Sequence, residues 1–151
     1  MAMEPEDTAL FCSGKIVRLR FDSKKAGQAH VLLDSGLEFS VSPLEAASLK
    51  SGQVLSSEQV QRFYLEDRFR QARSDAFALL SRRERSRREV QMHQLKKGYA
   101  KPTVVRVLEY LEAENYLDDD RFCALWIRSR QKTRPKGVYA LRCKLKQKNI
   151  N

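Results

Sequence analysis

At three places in this chain a serine three residues ahead of a glutamate or glutamine opens a run of helical spacing: Ser42 before Glu45, Ser56 before Gln59, and Ser86 before Glu89. At that spacing the hydroxyl accepts the free amide at the third helical position, and the longer side chain reaches back to the serine's own amide. Each pair therefore marks a helix start. Stop signals are equally plain. Gly52 and Gly98 can take the left-handed conformation that closes a helix, and Asn115 is the non-glycine residue that tolerates it best. A chain punctuated so often is bound to short, separate helices over most of its length.

Between these marks the apolar residues recur at helical spacing. The first start, with Pro43 at the favoured first position, opens a short helix to about Lys50. The second opens a long helix through roughly residue 81, with Leu65, Phe69, Ala72, Ala76 and Leu79 on one side. The third helix runs to Lys97, where Gly98 and then Tyr99 close it. Pro102 begins a fourth, striped by Val104, Val107, Leu108 and Leu111. Asp118 caps a fifth, on which Phe122, Leu125, Trp126 and Ser129 share a face that places Trp126 in the core. After a basic loop from Lys132 to Gly137, a sixth points Leu141 and Leu145 inward.

Upstream the period changes to two. Val17, Leu19 and Phe21 alternate with Arg18 and Arg20, as a half-buried strand requires. His30–Leu33 reads as a second strand and Leu37, Phe39 and Val41 as a third, with Asp34-Ser35-Gly36 as the hairpin between them. Residues 1–13 read as a leader. The fold class expected is mainly α: tandem three-helix repeats, the second incomplete, behind a small antiparallel three-stranded β module with a short helix. Residues 1–56 would form the β-rich module, 57–117 the linking helix and first repeat, and 118–151 the incomplete second repeat.

The repeat is visible as a shift of 51 positions, from Val90, Gln94, Lys97, Gly98 and Tyr99 to Leu141, Leu145, Lys148, Asn149 and Ile150. Each copy ends in a short polar run, a residue at ease in left-handed geometry, and a large apolar side chain.

Charge is distributed as unevenly as secondary structure. Residues 1–81 hold 10 Lys/Arg against 11 Asp/Glu, and residues 82–151 hold 19 against 8, a net of +11. A polyanionic partner for the second half follows, whether nucleic acid or an acidic protein groove. The densest run is Arg82, Arg83, Arg85, Arg87 and Arg88, where planar guanidinium forks suit phosphate or carboxylate. Lys96 and Lys97 follow one helix later. A second group comprises Arg121, Arg128, Arg130, Lys132, Arg134 and Lys136, continued by Arg142 and Lys144. The plain alternative for every one of these is a solvated helical face.

Catalytic and metal chemistry lack their constellations. Cys12, Cys123 and Cys143 form no CxxC, and His30 and His93 lie far apart. The cysteines are expected reduced and buried, and His93 exposed among polar neighbours. Asp118-Asp119-Asp120 lacks the alternating ligands and glycine of a calcium loop, and serves as a helix start. No glycine-rich loop precedes a helix, and no long apolar run marks a signal or membrane anchor. These readings give a cytoplasmic binding protein, not an enzyme, with no cofactor.

Ser81-Arg82-Arg83-Glu84-Arg85-Ser86, Leu95-Lys96-Lys97-Gly98-Tyr99, and Tyr116-Leu117-Asp118-Asp119-Asp120-Arg121-Phe122 with Trp126-Ile127-Arg128-Ser129-Arg130 resemble the RecX regulatory proteins. The match spans about residues 57–151, and Tyr116–Arg130 is its most specific part. The strand-rich leader resembles an N-terminal extension that some members carry. The resemblance implies tandem three-helix units, no cofactor and no reaction of the chain's own. It implies a monomer that binds the groove of the RecA–DNA filament, contacting DNA directly or through the filament, and dampens strand exchange, ATP turnover and co-protease activity. Asn115 and Asn149 stand where the family usually has glycine, and Cys123 replaces a small residue. The family usually completes the second unit and adds a third, so this member is expected to be C-terminally shortened. A sequence-tolerant DNA- or RNA-binding helical module is the rival reading.

Overall fold

A computed structural model describes residues 11–24, 27–133, 137–148 and 150, leaving aside the side chain of Thr133. Its elements, in order, are β1 (Gly14–Phe21), β2 (Ala29–Leu33), β3 (Glu38–Val41), α1 (Pro43–Ala46), β4 (Val54–Leu55), α2 (Ser57–Leu80), α3 (Arg87–Lys96), α4 (Lys101–Ala113), α5 (Asp119–Thr133) and α6 (Val138–Gln147). The chain divides into two compact units between Gln71 and Ala72, inside α2.

In the first unit the sheet has four strands, in the order β3-β2-β1-β4, rather than the three expected. The fourth is two residues long and pairs Val54 and Leu55 with Lys15 and Gly14, too short to show any alternation in sequence. A second departure lies in β1. Its register against β2 steps from Ile16↔Leu33 to Arg18↔Leu32, so Val17 is a bulge. The extra residue turns Val17 outward, 55% exposed, and makes Ile16 the core residue at 1%. Phe21, expected inside, is 65% exposed at the strand's end.

β2 and β3 follow the alternation, with Val31, Leu33, Phe39 and Val41 buried. Phe11, assigned to the leader, belongs to the same core and meets Tyr64 ring to ring at 5.4 Å. Phe39 stacks on Phe63 of α2 at 5.8 Å. The start of α1 carries the full reciprocal Ser42/Glu45 cap, but the helix ends at Ala46 and not near Lys50. Beyond it, the backbone bonds span three residues, from Ser48 to Glu45 and Leu49 to Ala46. Buried Asp67 accepts from Gln71 at 2.9 Å.

The second unit begins with Ala72, Ala76 and Leu79, the buried stripe of late α2. Gln94 of α3 is fully buried and donates to the Ala72 carbonyl at 2.9 Å, a polar bond inside an otherwise apolar seam. α4 covers this pair with Val104, Val107, Leu108 and Leu111, all at or below 1% exposure. Both stops predicted at Gly98 and Asn115 are real. Gly98 lies at φ +92° and Asn115 at φ +59°. In each case the residue after the stop reaches back five positions, Tyr99 to Gln94 and Tyr116 to Leu111, as the left-handed closure requires.

The 51-residue shift holds at the level of single bonds. α3 and α6 have the same length, and the Tyr99→Gln94 bond at 3.3 Å has its counterpart in Ile150→Leu145 at 3.1 Å. Asn149 itself lies outside the described residues. Trp126 is half-buried and Leu125 is 43% exposed, so α5 buries less of its stripe than its spacing promised. An open apolar groove of about 560 Å³ runs along Ile127, Val138, Leu141, Leu145 and Ile150.

α6 thus packs on one side while α4 is enclosed. We expect amides of residues 138–148 to exchange with solvent roughly 10–100-fold faster than those of 104–112, about the effect of leaving one leucine unburied. Hydrogen exchange read peptide by peptide checks this. Equal protection in the monomeric chain would show that α6 is as firmly packed as α4.

Candidate functional site

The basic half is organised around the start of α3. Ser86 is fully buried and takes the Glu89 amide on its hydroxyl, while the Glu89 carboxylate accepts the Ser86 amide at 3.3 Å. The same carboxylate meets Arg83 twice at 3.3 Å and Lys148 Nζ at 3.1 Å. Burial alone would raise the Glu89 pKa, but these bonds from Arg83 and Lys148 outweigh it and hold the carboxyl below its ordinary value.

The acidic triplet divides its work. Asp118 caps its own helix, accepting the amides of Asp120 and Arg121 at 2.9 and 3.1 Å. Asp119 does not. It crosses to α3 and accepts the Arg87 amide at 2.8 Å, satisfying a free donor of the neighbouring helix. Arg121 then reaches Glu84 at 2.8 Å and the Asn115 carbonyl at 3.2 Å, and Arg87 reaches Glu112 at 2.6 Å. Two helix starts are clasped together by side chains from both.

This clasp sorts the basic residues singled out from sequence. Arg83, Arg87, Arg121 and Lys97 are each engaged within the chain, Lys97 by Asp75 at 3.4 Å. Arg82, Arg85, Arg88, Lys96, Arg128, Lys132 and Arg142 have no ion pair or hydrogen bond among the described residues, and all but half-buried Arg85 are exposed. Arg130 lies over the Trp126 ring at 5.4 Å. Lys144 is half-buried and engaged within the chain. Arg134 and Lys136 lie outside the described residues.

Two residues were misjudged or passed over. His93, expected exposed, is half-buried, with its Nδ1 enclosed and without a partner. Its pKa is lowered by burial first, then by the charge of Lys97, with Arg85 and Arg82 adding to it and Asp75 opposing. Lys148 escaped notice because its partner, Glu89, lies 59 residues away. The cysteines form no disulfide, and they are only half-buried at Cys123 and Cys143 and exposed at Cys12. Burial pushes the Cys123 thiol pKa up, with Asp119 and Asp120 adding to it. Among the described residues no group of three or more His, Cys, Asp or Glu could hold a metal ion. No described helix is long and apolar enough to cross a membrane.

The class defined by this architecture is a tandem three-helix repeat protein with a small β module ahead of it. The chain belongs to the RecX family. Residues 72–111 match the family's first three-helix domain and residues 118–151 its second. Proteins named Regulatory protein RecX share 34% identity over 102 residues in Geobacillus kaustophilus (68% of this chain, 38% of the relative) and 40% over 81 residues in Prosthecochloris aestuarii (54% of each). The relative in Bacillus licheniformis shares 30% over 138 residues, covering 90% of this chain and 52% of that one. The chain thus spans about half, or less, of the length of these relatives. A crystal structure of regulatory protein RecX superposes with a TM-score of 0.71 at 24% identity, over 91% of this chain and 68% of that one, and so shares the fold.

Stability should separate the engaged side chains from the unengaged ones. Asp119→Ala, which strands the Arg87 amide, should cost about 1–2 kcal/mol in urea unfolding. Arg128→Ala and Lys132→Ala should each stay within about 0.5 kcal/mol of the parent. Equal losses in all three variants would mean the division of charges is mistaken.

Proposed function

We propose that the chain is a regulator that binds the RecA–DNA filament and lowers its strand-exchange, ATPase and co-protease activities, with no reaction or cofactor of its own. Membership of a family whose curated relatives are named regulatory proteins supports this reading. The observation that carries it is the sorting of charge. Seven of the basic side chains singled out from the sequence have no ion pair or hydrogen bond among the described residues, although neighbouring cations are tied down. A filament of nucleic acid and protein offers phosphates and carboxylates at that density. Action as a monomer in the cytoplasm, within recombination, DNA repair and the SOS response, belongs to the same proposal.

One observation favours a second reading, a sequence-tolerant nucleic-acid binder without a RecA partner. Arg130 packed over half-buried Trp126 is the pairing of cation and aromatic ring found where bases stack.

The test is RecA ATPase on single-stranded DNA across a titration of this chain. The proposal expects a fall in turnover at or below stoichiometric amounts, with no hydrolysis by the chain alone. Binding to filament should also weaken by orders of magnitude between about 50 and 200 mM salt. An unchanged ATPase, together with tight binding to bare single strands, would establish the second reading instead.

A further inference from the structure

Where the end of α2, the first turns of α3 and the end of α6 meet, the second unit holds a cleft of about 340 Å³. Arg85, Arg88, His93 and Lys148 line it, with Leu79 and Met92 as its apolar wall. Two of its nitrogens, Arg85 Nε and His93 Nδ1, are enclosed and have no hydrogen-bond partner. A buried polar atom without a partner loses its hydration and gains nothing in return, so such atoms call for an explanation.

The nearby acids do not supply one. Glu89 is filled by Arg83, Lys148 and the Ser86 amide. Asp75 takes Lys97 and the Tyr99 hydroxyl. Two amides of the first turn of α3 are taken as well, that of Glu89 by Ser86 and that of Arg87 by Asp119. Glu89 is the one carboxylate lining the cleft, and it is already shared among Arg83, Lys148 and the Ser86 amide, so Arg85 and Arg88 are left without an ion pair among the described residues.

We infer that this cleft is a phosphate-binding subsite, in which Arg85, Arg88 and protonated His93 hold one phosphodiester of a nucleic-acid backbone. A tetrahedral anion with several acceptor oxygens can serve donors that arrive from different elements, whereas a planar carboxylate is satisfied by one guanidinium fork. Met92, 55% exposed, offers an apolar wall of the kind a sugar ring covers, which free phosphate does not need. The inference rests on the polyanion-binding reading of the basic half and not on RecA.

The site carries its own pH dependence. Burial first, then the charge of Lys97, with Arg85 and Arg82 adding to it and Asp75 opposing, lowers the His93 pKa from its ordinary value. An anion beside the ring favours the charged form, so binding takes up a proton and strengthens as pH falls through the bound ring's pKa toward the lowered value of the unbound one.

Histidine ring resonances of the full chain, followed by NMR, test this with His30 of the first unit as an internal control. The probes are a deoxythymidine hexanucleotide, inorganic phosphate and an acidic peptide, at matched ionic strength. The expected result is an upward shift of the His93 titration with the oligonucleotide, at concentrations where phosphate and peptide leave it in place and His30 does not move. Arg85→Gln and Arg88→Gln should each weaken oligonucleotide binding about tenfold, and His93→Gln should remove its pH dependence. Neither arginine is engaged in a hydrogen bond among the described residues, so folding should survive, as circular dichroism would show. The assignment is overturned if no probe moves His93, if phosphate alone moves it, or if the peptide moves it while the oligonucleotide does not. An ATPase assay without effect on RecA would leave this result standing.

Discussion

Asp119 accepts the backbone amide of Arg87 at 2.8 Å, and through that bond the second repeat is fastened to the first. A helix leaves its first amides without partners, and an end packed against another helix must find them. Here the neighbour provides one. With the amide satisfied, the starts of α3 and α5 can lie side by side, close enough for Arg121 to reach Glu84 and Arg87 to reach Glu112. Each ion pair is partly exposed and worth little alone, on the order of 0–1 kcal/mol. Their joint effect is to fix a corner, and the corner decides which cations remain available.

That allocation links structure to function. A basic half with every charge paired would be an ordinary solvated surface. This one spends Arg83, Arg87, Lys97 and Arg121 on its own carboxylates and leaves Arg82, Arg85, Arg88 and Lys96 in the first repeat, and Arg128, Lys132 and Arg142 in the second, without such partners among the described residues. Of the unengaged set, Arg88, Lys96, Arg128, Lys132 and Arg142 lie on α3, α5 and α6, while Arg82 and Arg85 lie in the link between α2 and α3. The charges are therefore presented by ordered backbone, which lowers the entropy lost on binding.

Much of this was legible in the sequence because it is local. Capping boxes at Ser42, Ser56 and Ser86 and the stops at Gly98 and Asn115 depend on residues within five positions of one another, and the α4 stripe on residues within seven. The misses share the opposite property. The bulge at Val17 is set by pairing with β2, and β4 exists only because β1 offers an edge. Asp119 looked like a cap for its own helix because its real partner lies 32 residues upstream. Among the basic residues, chemistry was readable and commitment was not. Arg87 and Arg88 are adjacent, yet one is bound to Glu112 and the other has no such partner among the described residues.

The account's central claim is that the unengaged cations, and not basic charge as such, carry partner binding. Affinity for a preformed RecA filament on single-stranded DNA tests it most directly, measured for two variants of equal charge change. One replaces Arg128, Lys132 and Arg142 by glutamine, and the other replaces Arg83, Lys97 and Arg121. With folding verified in both, the first should lose affinity by one to two orders of magnitude and bind with a shallower salt dependence, roughly one counterion less per contact removed. The second should bind nearly as the parent does while unfolding at lower urea. Equal losses of affinity from both sets would show that net charge alone governs binding, and would contradict the division on which this account stands.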